Sequence, residues 1–169
     1  MKIIRRFQPD STHAVKAQQR NAAGFTLIEL ITTVVIVAIL AVIAGPSFSS
    51  LIATQRIKAV AADLYVALSK ARSEALKRNV NVTLSPKTAN AWQAGWEIRD
   101  PSDNTKKLED HAAITGATIV GPADLTYRVS GRIAAATAPT FDITASGTTI
   151  HWCVTIEPSG RPYQKSTAC

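Results

Sequence analysis

One run of twenty residues, 25–44, constrains this chain more than any other feature of its sequence. Only four of the twenty are polar, and only Glu29 is ionisable. A helix of this length reaches about 30 Å, the thickness of the hydrocarbon core of a bilayer. The run therefore predicts a membrane-spanning helix. Because a carboxylate at that depth costs about 3 kcal/mol, Glu29 is either a residue tolerated at the edge of an ordinary signal anchor or a functional residue.

The leader, residues 1–24, is not organised like an ordinary secretory signal. Such a signal has a short basic segment, an apolar segment of about 7–15 residues and then a small-residue cleavage site. Here the leader is long, and its conspicuous glycine, Gly24, precedes the apolar run. Five cations (Lys2, Arg5, Arg6, Lys16, Arg20) against Asp10 give the leader +4 of the chain's +7, which leaves +3 for the rest. Basic residues stay on the cytoplasmic side, so the predicted orientation is N-terminus in and C-terminus out.

The junction between leader and run reads Gly24-Phe25-Thr26-Leu27-Ile28-Glu29. With its basic leader and hydrophobic helix, it closely resembles the type III signal of type IV pilins and pseudopilins. The resemblance implies that a prepilin peptidase cuts between Gly24 and Phe25 and methylates the new amino terminus. It also implies that Glu29, then the fifth residue, neutralises the terminal amine of an adjacent subunit during assembly on an inner-membrane platform.

After the run, Gly45 and Pro46 predict a kink, because proline removes a helical hydrogen bond. Helical periodicity then resumes, and Asn79 is a plausible end signal. The apolar stripe predicted to face a sheet consists of Ile57, Val60, Ala61, Leu64, Leu68, Ala71 and Ala75. The sequence thus predicts one helix over about 25–78, with a membrane or filament-core half (25–52) and an amphipathic half that opens a periplasmic domain (53–169).

From residue 80 onward, short β-type runs alternate with turn signals. The predicted strands are 80–84, 92–99, 118–120, 126–129, 140–143, 150–156 and 162–164. Residues 85–86, 100–104, 121–122, 146–147 and 158–160 are predicted turns. Trp92 and Trp96 are predicted core residues, one facing the helix and one nearer the rim. The predicted fold class is α+β: a long N-terminal helix packed on antiparallel β-sheet.

The globular half resembles one branch of the pilin-like proteins. The helix end Ala71-Arg72-Ser73-Glu74-Ala75, the Gly95-Trp96 strand and the turn Pro158-Ser159-Gly160-Arg161 are together similar to the GspH/FimT family of minor pilins and pseudopilins. Within that family some members prime or cap type IV pili, some belong to type II secretion pseudopili, and some bind incoming DNA. The resemblance implies other major and minor pilins as partners, and a bacterial inner-membrane location before assembly into a filament.

The two cysteines, Cys153 and Cys169, both lie near the C-terminus. In an oxidising compartment such a pair usually forms a disulfide. The alternatives are a metal pair or a redox dithiol, but no histidine or further cysteine clusters nearby. A structural disulfide is the favoured interpretation.

DNA-binding members of the family resemble one another in a Gly-Arg-x-Arg tail. Here Gly160 and Arg161 match, Tyr163 stands in place of the second arginine, and Lys165 is displaced by two residues. The candidate DNA-binding residues are Arg161, Tyr163 and Lys165, joined by Arg128 and Arg132 if the fold brings them close. The alternative is that they are solvated charges on a turn and an edge strand.

Nothing in the sequence indicates catalysis. His13 lies in the leader, and His111 and His151 are isolated, with no nucleophile motif and no metal-ligand spacing. We therefore expect no enzymatic activity, no cofactor and no metal. The predicted function is a minor pilin that primes or enters a pilus, with a contribution to DNA uptake; the alternative is a minor pseudopilin of a type II secretion system.

Overall fold

The computed structural model describes residues 24–169, without the side chains of residues 44–46. The predicted leader therefore lies outside the described residues, apart from Gly24. The chain divides into two units, one ending at Ile39 and one comprising Leu40–Cys169. Each is described below by itself.

A single helix, α1, covers Leu27–Arg78. Thr26 lies just before it, and its hydroxyl accepts a hydrogen bond from the Glu29 amide at 3.2 Å. Thr26 and Glu29 have the spacing of a capping box, which explains why the helix begins here. The helix ends where predicted, because Asn79 adopts a left-handed conformation with φ of 56°.

With respect to a membrane span, α1 divides at residues 44–46 into two parts. Among the described residues, no single helix is long and apolar enough to cross a membrane by length and composition. The parts Leu27–Ile43 and Ser47–Arg78 meet those criteria only as a bent pair across residues 44–46. The predicted kink at Gly45 and Pro46, and the predicted span, stay predictions.

The rest of the chain forms two four-stranded antiparallel sheets. The strands are β1 (Val82–Pro86), β2 (Trp96–Asp100), β3 (Asp103–Asp110), β4 (Thr118–Val120), β5 (Leu125–Tyr127), β6 (Thr140–Thr144), β7 (Trp152–Ile156) and β8 (Pro162–Lys165). The first sheet has the order β3-β2-β1-β5, and the second has the order β4-β6-β7-β8. The predicted α+β fold of a helix on antiparallel sheet is confirmed.

The hydrophobic core lies between the second half of α1 and the two sheets. Every residue of the predicted apolar stripe is buried, together with Ala53 and Ala67. Trp92 packs edge-on against Phe141 with ring centroids 4.8 Å apart, and its indole N–H donates to the carbonyl of Pro122 at 2.7 Å. Trp96 is also fully buried, so the prediction that one tryptophan lies nearer the rim is wrong.

One strand prediction was wrong at its start, and one strand was not predicted. Residues 92–94 form a 3-10 helix, because Gly95 with φ of 94° interrupts the run before β2 begins. The sequence does not predict strand β3, and the predicted turn 100–104 overlaps its first two residues. This strand lies at a sheet edge and is mostly exposed and charged, so it has no hydrophobic alternation that would have indicated it.

Candidate functional site

Three candidate regions follow from the sequence: the start of α1, the disulfide and the basic tail. At the start of α1, Glu29 is in the first turn, where the positive end of the helix dipole favours an acid. The hydroxyls of Thr32 and Thr33 donate to backbone carbonyls within the helix at 2.8–3.0 Å. Glu29 is thus the one ionisable group in residues 25–55, within a surface of exposed apolar side chains.

At the C-terminus, the structure joins Cys153 on β7 to Cys169, with their Cα atoms 5.2 Å apart. The predicted disulfide is confirmed. The amide of Cys169 also donates to Asp142 at 3.4 Å, and the other carboxylate oxygen of Asp142 lies 2.9 Å from His151 Nδ1. The chain end is therefore held on the outer side of the second sheet by one covalent and one polar contact.

Three of the candidate DNA-binding residues meet at two turns. Arg128 and Arg132 flank the first turn, where the Arg128 amide donates to the Arg132 carbonyl at 2.8 Å. Arg161 closes the second turn, where its carbonyl accepts from the Glu157 amide at 3.0 Å. All three arginine side chains are exposed. We call residues 128–132 and 157–161 the basic turns.

The basic turns touch each other through glycine. Gly160 has φ of 84°, and a Cβ atom built on it would lie 1.9 Å from the carbonyl oxygen of Gly131. Only a residue without a side chain permits that approach, and the left-handed backbone also favours glycine. The match to the family tail at Gly160 therefore has a packing reason in this chain.

Arg72 of α1 fixes the same arrangement from the helix side. Its Nε donates to the Gly131 carbonyl at 3.1 Å, and one terminal nitrogen donates to the Ser159 carbonyl at 3.2 Å. One guanidinium thus bridges both basic turns, a role that suits the planar fork of arginine. Sequence reasoning missed Arg72 as a site residue, because its position in α1 does not indicate which loops pack against it.

An open groove of about 690 Å³ runs beside the basic turns. Arg72, Lys77 and Arg161 contribute its cations, while Tyr65, Leu76 and Pro162 contribute apolar surface. Within residues 24–169 the arginines of the basic turns and Arg72 form no ion pair, and Lys77 has Glu74 at 3.9 Å. The basic turns and the adjoining surface of α1 thus carry five cations, with Glu157 in the second turn and Glu74 beside Lys77 as anions.

The structure separates the other two candidates, Tyr163 and Lys165, from this cluster. They lie on the edge strand β8, where Lys165 is four residues beyond Arg161, or about 13 Å along a strand. The Lys165 amine lies 5.5 Å from the centre of the Tyr163 ring. The two form a cation–π pair on β8.

Several other charged and metal-competent residues have structural partners. Buried Glu97 accepts from Lys107 at 2.8 Å and Arg99 at 2.6 Å; these contacts, led by Lys107, lower the pKa of Glu97 although burial opposes them. His111 stacks on Trp96 with a centroid distance of 3.9 Å. Within residues 24–169, no group of three His, Cys, Asp or Glu side chains is arranged to hold a metal ion.

Comparison with known proteins gives two family matches. The model described as type II transport protein GspH matches residues 60–160. The model of the prokaryotic N-terminal methylation motif matches residues 19–45. No curated protein matches the chain.

Solved structures also resemble this chain. The type IV minor pilin FimU of Pseudomonas aeruginosa is similar in two crystal forms. One has 24% sequence identity and a TM-score of 0.58, and the match covers 66% of this chain and 96% of FimU. The other has 23% sequence identity and a TM-score of 0.59, and the match covers 69% of this chain and 94% of FimU. The minor pseudopilin EpsH from the type 2 secretion system of Vibrio cholerae is similar at 16% identity and TM-score 0.52, covering 66% of this chain and 97% of EpsH. At these identities the likeness shows the shared fold.

Proposed function

The chain belongs to the GspH family of type IV pilin-like proteins, and from that membership we propose that it is a minor pilin which enters a pilus and binds DNA through its basic turns. The observation that supports DNA binding is that Arg72 bridges the two basic turns, which carry three exposed arginines. One of these, Arg161, lines a groove together with Arg72 and Lys77. The proposed role is structural, without catalysis.

We propose that the protein is made as a precursor. A prepilin peptidase removes residues 1–24 and methylates Phe25, and the helix from residue 25 to about 52 anchors the subunit in the inner membrane with its globular domain in the periplasm. Mass spectrometry of the purified protein tests this processing: the first residue should be N-methylated Phe25. A chain that retains the leader, or one cut after residue 44, would contradict it.

Assembly is proposed to depend on Glu29. A carboxylate among apolar side chains needs a partner, and the terminal amine of a neighbouring subunit's Phe25 supplies a charge of opposite sign. Two variants separate charge from helix capping: Glu29→Gln keeps an N3 capping group, whereas Glu29→Ala removes both functions. If pairing of charges drives assembly, both variants stay in the membrane and are cleaved but are poorly incorporated into sheared filaments. Normal incorporation of Glu29→Gln would refute the pairing.

DNA binding at the basic turns is proposed to be electrostatic and weakly dependent on sequence. Each phosphate neutralised by an arginine or lysine releases a counterion, so affinity falls as salt rises. With about four contacts, affinity should fall about 100-fold between about 50 and 200 mM salt. The groove beside Arg161 and the exposed Arg128 and Arg132 are the proposed contacts for a DNA backbone, and the Tyr163–Lys165 pair offers further contacts along β8.

The test uses residues 54–169 with the disulfide formed, because the connected cluster of core side chains lies within residues 57–156. We compare wild type with Arg132→Gln/Arg161→Gln and with the control Lys106→Gln, which removes an exposed cation from β3. The double variant should bind DNA more weakly and with a salt slope reduced by about 1.8, while the control should retain wild-type binding. Equal binding by all three proteins would refute a role for the basic turns.

A pseudopilin of a type II secretion system is the second candidate. It is favoured by the description of the matching family model and by the similarity to EpsH. Absence of DNA binding by residues 54–169 even at low salt would favour this function. Co-purification of the full chain with secretion pseudopilins or with pilins then decides between the two filaments.

A further inference from the structure

Two segments that pack against each other lack ionisable residues. After Glu29, the first ionisable residue in α1 is Arg56, and residues 143–150, which precede His151 in the connection between β6 and β7, also contain none. We propose that this connection, residues 145–150, rests on the surface of the lipid bilayer and gives the subunit a second membrane contact. The proposal rests on the membrane anchoring proposed above.

The connection packs on α1 at the end of the proposed span. The Thr148 hydroxyl lies 3.3 Å from the hydroxyl of Thr54, which also donates to the Ser50 carbonyl at 2.8 Å. A Cβ atom on Gly147 would lie 3.5 Å from Ser49 Oγ and 4.0 Å from Ala53 Cβ. Because the proposed anchor ends at about residue 52, a loop in contact with α1 residues 49–54 is at the bilayer surface.

The side chains there have the chemistry of a lipid interface. Phe48, Leu51, Ile52 and Ile150 are 65%, 52%, 54% and 42% exposed, and no described residue covers them. Between Leu51 and Ile150 is an open groove of about 630 Å³ lined otherwise by serine, threonine and glycine. Hydroxyls suit the headgroup region, and exposed aliphatic side chains suit the acyl boundary just below it.

The order of residues beyond this point favours lipid over a neighbouring protein as the occupant. One turn after Ile52, or about 6 Å along the helix, comes Arg56. Lys58 follows, and its amine lies 5.4 Å from the ring of half-buried Trp152. Apolar residues, then hydroxyls, then an interfacial tryptophan is the order of groups typical of a membrane–water interface.

The test measures contact between the connection and lipid in the full, processed chain. Ile150→Trp and the control Val129→Trp each replace a β-branched residue of similar exposure, 42% and 45%. Val129 lies in the basic turns, which contact α1 at Arg72, about 30 Å along the helix from Ile52. Both variants are reconstituted in vesicles of phosphatidylethanolamine and phosphatidylglycerol, with or without bromine near the headgroup.

Brominated lipid should quench Ile150→Trp more than wild type, whereas Val129→Trp should show no added quenching. Equal quenching of the two variants overturns the proposal, and so does a tryptophan at position 150 that is shielded from acrylamide but not quenched by lipid, which assigns the surface to another subunit. Vesicle flotation tests the membrane anchoring separately from the second membrane contact. A chain that floats without added quenching loses the second contact alone, whereas a chain that does not float refutes the anchoring itself.

Discussion

Replacing Arg72 by methionine tests whether one guanidinium joins the two basic turns. The substitution retains a long apolar stem and removes the hydrogen bonds to the carbonyls of Gly131 and Ser159. A hydrogen bond from a charged group contributes about 1.5–3 kcal/mol, and the lower part of that range applies because Arg72 is half-buried and the bond to Ser159 is exposed. With that discount, the two bonds together should contribute about 2 kcal/mol to the free energy of unfolding. For a domain of this size such a loss lowers Tm by about 8 °C.

Urea and thermal unfolding of residues 54–169 measure the effect. The matched control is Arg128→Met, which removes an exposed arginine of the same turns that makes no side-chain hydrogen bond among the described residues. It should change the free energy of unfolding by less than about 0.5 kcal/mol. If Arg72→Met is no less stable than Arg128→Met, the bridging role is refuted. If only DNA binding falls, Arg72 acts as a phosphate contact and not as a bridge.

Two further predictions concern stability. Replacing both Cys153 and Cys169 by serine opens a loop with a sequence separation of 16, and should reduce the free energy of unfolding by about 3 kcal/mol; an unchanged urea midpoint would contradict this. Because Lys107 and then Arg99 lower the pKa of Glu97, its contribution is present above about pH 4.5 and is lost as the pH falls through the lower folded-state pKa. Glu97→Gln should therefore flatten the loss of stability between about pH 5 and pH 3, and an unchanged acid limb in urea titrations would refute the contribution.

The helix and the strands of the core were predictable because local pattern and burial coincide in them. The stripe from Ile57 to Ala75 has helical periodicity and is buried along its length. Thr26 with Glu29 supplies a start signal, and Asn79 supplies the end. Strand β3 was not predictable in this way, since an edge strand with both faces mostly in solvent is free to be charged.

The candidate site was predictable only in part. The family motif led to Arg161, but its neighbours are determined by the approach of Gly160 to Gly131, a contact between loops about thirty residues apart in sequence. The same contact explains why the sequence does not indicate Arg72 as a site residue. Side chains with hydrogen-bond partners in distant turns leave no periodic signal in the sequence around them.

The charged edge of the first sheet has a consequence for subunits that wait in a membrane. Anchored proteins diffuse in two dimensions, where their folded domains meet frequently and in a common orientation. A bare sheet edge would then invite strand pairing between copies, but β3 presents Lys106 and Lys107 together with Asp103 along that edge. With the proposed membrane anchoring, these charges should oppose edge-to-edge pairing of neighbouring subunits.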